Sequence, residues 1–187
     1  MPMVMQIVKG NRTGKEIIMD ILDCIMARKS IRIFGEGPIP KEAVQKILRA
    51  AIYAPSGKNG RPWKFQVVLD KPTIMNLANR SIFNKWMRDA EYLIVVFLDM
   101  SKSYNRVKDI QSCGAAIQNM LLTACSLEIG SCWIGEVLDY APDIMRILNI
   151  TNDDLELMGI VALGDGAGIA ITREPRECTK KIDDFLV

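Results

Sequence analysis

The chain has 187 residues, 49% of them hydrophobic and 25% charged, the balance of a globular chain able to bury one core of ordinary size. It contains no histidine, and 24 Lys and Arg against 22 Asp and Glu leave a net charge of +2. That excludes Ser-His-Asp and Cys-His catalysis, imidazole acid–base work and His-ligated metals; no basic stripe points to nucleic acid, and catalysis is expected to come from something bound.

Five cysteines (Cys24, Cys113, Cys125, Cys132 and Cys178) show no CxxC spacing and read as reduced thiols of a cytoplasmic protein. Met1 to Val8 is apolar but too short for a secretory leader, with Lys9 and Arg12 after it rather than before. The longest apolar run, Tyr92 to Leu98, is far too short to span a bilayer, so no membrane role is expected.

Val4, Gln6 and Val8 alternate with Met3, Met5 and Ile7, the pattern of a short strand, broken by Gly10 and Gly14. A helix is predicted from near Asp20, with Ile21, Leu22, Ile25 and Met26 on one face. A second opens at Pro40, carries Glu42 in its first turn, and lines up Val44, Ile47, Leu48, Ala51 and Ile52 before Pro55 ends it. Lys64 to Leu69 reads as a strand with Phe65, Val67 and Leu69 on one side. Lys71 to Lys85 reads as helical, then irregular. Tyr92 to Leu98 is predicted to be a strand buried on both faces. Cys113 to Ile129 is the strongest helical pattern, with Gly130 as its stop. A strand Ser131–Ile134, a short helix Asp143–Leu148 and a strand Leu157–Leu163 ending at Gly164 follow, then a charged tail. With no repeat and no linker, helices and strands share one core.

Three segments carry chemistry. Arg28 and Arg32, four apart with Ser30 between, can grip a phosphate through forked, charge-assisted bonds and a hydroxyl; on its own such a cluster reads first as a solvated basic turn. The loop Ala54–Trp63 has prolines at both ends and two glycines, so its backbone, Pro55, Ser56 and Asn59 can approach a flat heterocycle; on its own it reads as a surface loop with Trp63 anchored in the core. Gly135, just past a short strand in Trp133-Ile134-Gly135-Glu136, offers a backbone N–H to a ring nitrogen, or simply makes a turn. Leu163 to Gly168 is glycine-rich but lacks the P-loop Lys and Ser/Thr, and follows the last strand instead of opening a βαβ unit, so it is not read as a dinucleotide fingerprint.

Taken in order, Arg28-x-Ser30-x-Arg32, Ala54-Pro55-Ser56-x-x-Asn59-x-x-Pro62-Trp63, Gly114 to Leu122 and Ile129 to Gly135 resemble the FMN-dependent nitroreductase family, from about Met19 to the C-terminus. The resemblance implies an α+β fold of α/β/α-sandwich type, a mostly antiparallel sheet flanked by helices. It divides the chain into an extension, residues 1–18, and one FMN-binding domain, residues 19–187. It implies a homodimer with an FMN at each of two interface sites. Arg28, Lys29, Ser30 and Arg32 map onto the element that holds the phosphate and ribityl chain. Pro55 and Ser56, with Asn59 nearby, map onto the loop over one flavin face. Asn84 and Lys85 are the nearest candidates for the pyrimidine edge, Ile134 and Gly135 for the amide facing flavin N5, and Arg173 or Arg176 for a second phosphate contact.

By the same resemblance, NADH or NADPH gives hydride to the flavin and a small acceptor (a nitroaromatic, quinone or similar) takes it in turn, a ping-pong scheme needing no histidine. A non-catalytic flavin-binding protein and a reductive variant of the fold, such as a dehalogenase, are the alternatives. The chain departs from the family in having Arg61 where Gln is frequent, and in being short between Trp86 and Cys113.

Overall fold

A computed structural model describes residues 20–166 and 184. The expected strand in Met1–Lys15, the extension boundary, Arg173, Arg176 and Cys178 lie outside the described residues. In chain order the elements are α1 (Ile21–Ala27), α2 (Lys41–Ile52), β1 (Trp63–Val68), α3 (Lys71–Ala78), α4 (Asn84–Met87), β2 (Tyr92–Asp99), α5 (Arg106–Ser126), β3 (Ile129–Ile134), α6 (Ala141–Ile147) and β4 (Leu155–Asp165).

Local chemistry fixes several helix starts. Asp20 Oδ1 accepts from Leu22 N at 3.1 Å, Asp70 Oδ2 from Thr73 N at 3.0 Å, and Asn105 Oδ1 from Lys108 N at 3.1 Å, each satisfying an orphan N–H of a first turn. The bond from Thr73 holds the Asp70 carboxyl below its usual range. In α2, Val44, Ile47 and Ala51 are buried, the stripe its sequence predicts.

The four strands pair antiparallel in the order β1-β2-β4-β3. All eight residues of β2 are buried, and its alternation divides the core. Tyr92, Ile94, Val96 and Leu98 pack with α2 and α5 on one face. Leu93, Val95 and Phe97 pack with α3, α4 and α6 on the other. Each such side chain contributes roughly 1.5–3 kcal/mol by burial. The expected α/β/α sandwich with an antiparallel sheet is therefore what forms.

Some boundaries differ. α5 starts at Arg106 rather than Cys113 because the Asn105 cap lies in a charged stretch that hides the apolar period. α5 ends at Ser126, and Glu128 just beyond it takes the left-handed conformation (φ 58°), while Gly130 is inside β3. Lys71–Lys85 breaks into two short helices. β4 runs through Gly164 to Asp165. Leu69 lies beyond β1 and is exposed, whereas Val68 is buried.

The largest departure is α1. Cys24 and Ala27 are its buried residues, while Ile21, Leu22, Ile25 and Met26, the face expected inward, are 62%, 61%, 45% and 44% exposed. The apolar period was right for a helix, but it marks an outer surface of this chain.

Candidate cofactor site

The segment after α1 is laid along the β3–β4 edge of the sheet. Ile31 N donates to Ser131 O and Gly35 N to Asp165 O, both at 2.9 Å. Its seat is made by glycine. A Cβ on Gly164 would lie 2.3 Å from the Phe34 ring, and one on Gly130 3.0 Å from Ile31 Cγ2. Gly164 near the end of β4 and Gly130 in β3 thus serve close packing.

This seating places Arg28, Ser30 and Arg32 along β3. The buried Cys132 thiol is pushed up by burial, and drawn down by the Arg32 charge, by a hydrogen bond with Ser30 and by the Arg28 charge. Arg28 and Lys29 border a small cleft with Ile129 and Ser131 at the start of β3. Ser30 and Arg32 are exposed, and Arg28 and Lys29 half-buried. The Arg32 guanidinium also lies 5.9 Å from the Trp86 ring centroid. Arg32, Trp86 and Lys85 border one open cavity of ≈ 680 Å³. Cys132 and Trp86 carried no signal in the sequence, since neither spacing nor charge marks them.

At the end of β3 the Ile134 side chain is in the core, 1% exposed, so only its backbone can face a ligand. Gly135 has ordinary helical angles (φ −92°, ψ −24°), and a Cβ there would meet nothing within 4 Å. The main chain at Gly135 thus borders open space. Glu136, which sequence reasoning passed over, ties this point to the segment carrying Asn84 and Lys85. Its Oε2 accepts from Ser81 Oγ at 2.7 Å, and its Oε1 from Ile82 N at 3.1 Å. Ser81 Oγ in turn accepts from Phe83 N at 3.0 Å. The partners are 55 residues apart in sequence, so no local pattern reveals them. Glu136→Ala leaves the buried Ser81 hydroxyl without its acceptor, at a cost of about 1–3 kcal/mol. A thermal melt lowered by several degrees is expected, with weakened FMN uptake in a titration of the folded protein.

Pro55, Ser56 and Asn59 lie elsewhere. They precede β1, at the opposite edge of the sheet from β3, and three strand spacings of about 4.8 Å separate the edges. Ser56 Oγ accepts from Arg61 N at 3.0 Å, and Asn59 Oδ1 from Arg61 Nε at 3.1 Å. A single chain therefore holds two candidate half-sites: the Arg28 cluster with Gly135, Asn84 and Lys85 on one side, and the Pro55 loop on the other.

The four described thiols are buried and held in the protonated form. Burial pushes the Cys113 thiol up to about 12 and raises Cys24 and Cys125. Among the described residues no group of acidic and thiol ligands could hold a metal ion.

The nitroreductase family profile matches residues 25–83 and 76–165, which takes in both half-sites. The chain belongs to the nitroreductase family. This nitroreductase-family chain is 38% identical over 117 residues (62% of it and 67% of the relative) to a protein of Archaeoglobus fulgidus assigned as an NADH dehydrogenase/NAD(P)H nitroreductase. A protein with the same assignment in Methanothermobacter thermautotrophicus is 34% identical over 139 residues, 73% of each chain. In structure the chain resembles a protein from Desulfovibrio desulfuricans, assigned as a nitroreductase and crystallised with FMN. The TM-score is 0.83 and the identity 34%, over 91% of this chain and 97% of that one.

Proposed function

We propose that this nitroreductase-family chain is an FMN-dependent oxidoreductase. It moves hydride equivalents from NADH or NADPH to a small organic acceptor, such as a nitroaromatic or quinone, in a ping-pong order. The observation that carries this reading is the placement of Arg28, Ser30 and Arg32 along β3, the strand that leads into Gly135, where the chain borders free space.

The donor set fits FMN. A phosphate needs cations and a hydroxyl, which that cluster supplies, and Lys29 adds a third charge. The reactive edge of a flavin needs a backbone donor beside open space, and at Gly135 the Cβ direction is clear of protein atoms within 4 Å. When bound, FMN supplies two-electron redox chemistry at N5. The chain's residues hold and orient: two guanidiniums grip the phosphate, Lys85 and Asn84 serve the pyrimidine edge with positive charge and an amide, and the Gly135 N–H is aimed where bonding changes. Pro55, Ser56 and Asn59 cover the opposite ring face and keep water out. Arg173 or Arg176 remains our candidate for a further phosphate contact.

Because the half-sites lie on opposite edges of one sheet, we place the complete site between two subunits of a homodimer. The exposed apolar face of α1 supports this, since four large apolar side chains side by side on a short helix mark a contact surface. Leu22→Lys with Ile25→Lys is expected to convert the dimer to a folded monomer that has lost FMN; sedimentation at micromolar concentration reads the mass, and a stable wild-type monomer loaded with FMN would show the two-subunit site to be wrong. The described cysteines are free and buried, which suits the reducing cytoplasm we assign to the protein. No helix among the described residues is long and apolar enough to cross a membrane.

The test of function is anaerobic mixing of the yellow, purified protein with NADH or NADPH. Bleaching of the flavin band supports the enzyme. Persistent colour favours a flavin-binding protein without hydride transfer, and a colourless protein that FMN does not titrate refutes both.

A further inference from the structure

We propose that Lys58, Lys108 and the ring of Tyr104 form an anion subsite that takes the phosphate or carboxylate of a co-substrate. The inference rests on the proposed function, because that reading sets the Pro55 loop, and so Lys58, beside the cofactor.

Both ammonium groups address one ring: Lys58 Nζ is 5.0 Å and Lys108 Nζ 5.6 Å from the Tyr104 centroid. Each gains from the ring quadrupole, but two like charges sharing a ring also repel, and a bound anion relieves that repulsion. The ring itself is held in place. Buried Asp109, 1% exposed, accepts from Ser103 Oγ at 2.8 Å, Tyr104 N at 3.1 Å and Asn105 N at 3.3 Å. On the other side the ring presses on Gly57, where a Cβ would lie 2.1 Å from Cε1.

Lys58 is held just as firmly. Lys58, Asn59 and Arg61 all have left-handed angles (φ 52°, 55° and 48°), a conformation that costs non-glycine residues about 1–3 kcal/mol each and concentrates where ligands are held. The two Arg61 bonds to Ser56 and Asn59 keep the loop in that shape.

The neighbouring carboxylates are already engaged. Asp99 takes Ser101 Oγ at 2.5 Å and faces Lys64 and Lys102 at 3.9 and 4.0 Å. Glu156 pairs with Arg106, and Asp109 is closed round its three donors. Among the described residues no carboxylate forms an ion pair with Lys58, Lys108 or Arg61. The loop expected to border the co-substrate therefore presents two cations, Lys58 and Arg61, and α5 adds Lys108, none of them in an ion pair among the described residues.

The experiment is calorimetric titration of the FMN-loaded protein at low ionic strength with two pairs of probes: NADP+ against NAD+, and para-nitrobenzoate against para-nitrobenzyl alcohol. The variants are Lys58→Asn with Lys108→Gln, Asn being the substitute that best tolerates the left-handed angle, and Lys58→Arg with Lys108→Arg. In the first, the preference for the charged member of at least one pair is expected to fall roughly 3- to 30-fold, the range for two partly exposed ion pairs; the second should restore it. A fall confined to NADP+ assigns the subsite to the extra ribose phosphate of the donor. A fall confined to para-nitrobenzoate assigns it to an acceptor carboxylate. Equal weakening of charged and neutral members, or no change in either pair, overturns the proposal. Prior FMN titration separates the two levels: a wild type that takes up no FMN overturns the proposed function and this subsite with it.

Discussion

Replacing Arg28 and Arg32 together by alanine is expected to release FMN on dialysis from a protein that keeps its fold. Neither residue belongs to the two core clusters, and Arg32 is exposed. On the Arg32 side the stability at risk is small: a surface cation–π contact with Trp86 is worth about 0.5–1 kcal/mol. Charge-assisted bonds to phosphate contribute about 1.5–3 kcal/mol each, so losing one from each arginine weakens binding roughly 100- to 10,000-fold. Flavin absorbance after dialysis, beside a far-ultraviolet dichroism spectrum of the same sample, measures both sides. Full retention of FMN by the folded double variant would remove the phosphate grip from this cluster. Ser30→Ala, which deletes one neutral donor, should weaken binding far less.

The layered fold was legible because β2 is an uninterrupted apolar run and α2 and α5 carry clear periods; such patterns are made by burial and report it directly. The strand order was not legible, because nothing local says that β2 pairs with both β1 and β4. The apolar stripe of α1 misled in one respect: a period of 3.6 marks a covered face, but does not say whether this chain or another covers it. In the site, Arg28, Ser30 and Arg32 could be singled out because their charge and spacing are local. Glu136 escaped because its role arises from a pairing across the fold, with Ser81 and Ile82. The Pro55 loop was recognised by its composition. Its separation from the Arg28 cluster became visible only when the sheet placed β1 and β3 at opposite edges.

Gly135→Val tests the assignment of the reacting end of the site. The substitution should be harmless to the chain: the backbone angles suit any residue, and the space in front is empty of protein atoms within 4 Å. An unchanged melting temperature is therefore expected. The phosphate grip lies at the Arg28 cluster, so the variant should still take up FMN. What changes is the space next to the Gly135 N–H. A branched side chain there competes with the ring edge, and a displacement of about 1 Å between reacting groups costs roughly 100-fold in rate. A donor aimed at the atom where bonding changes acts chiefly in the transition state, so the loss should appear in the hydride-transfer rate more than in the affinity for FMN. Stopped-flow bleaching of the flavin-replete variant by NADH or NADPH reads that rate directly. Because the chain itself offers nothing for the valine to strike, a slow but stable, yellow variant can only be explained by what occupies the space in front of Gly135; wild-type bleaching would reduce this glycine to the turn that follows β3.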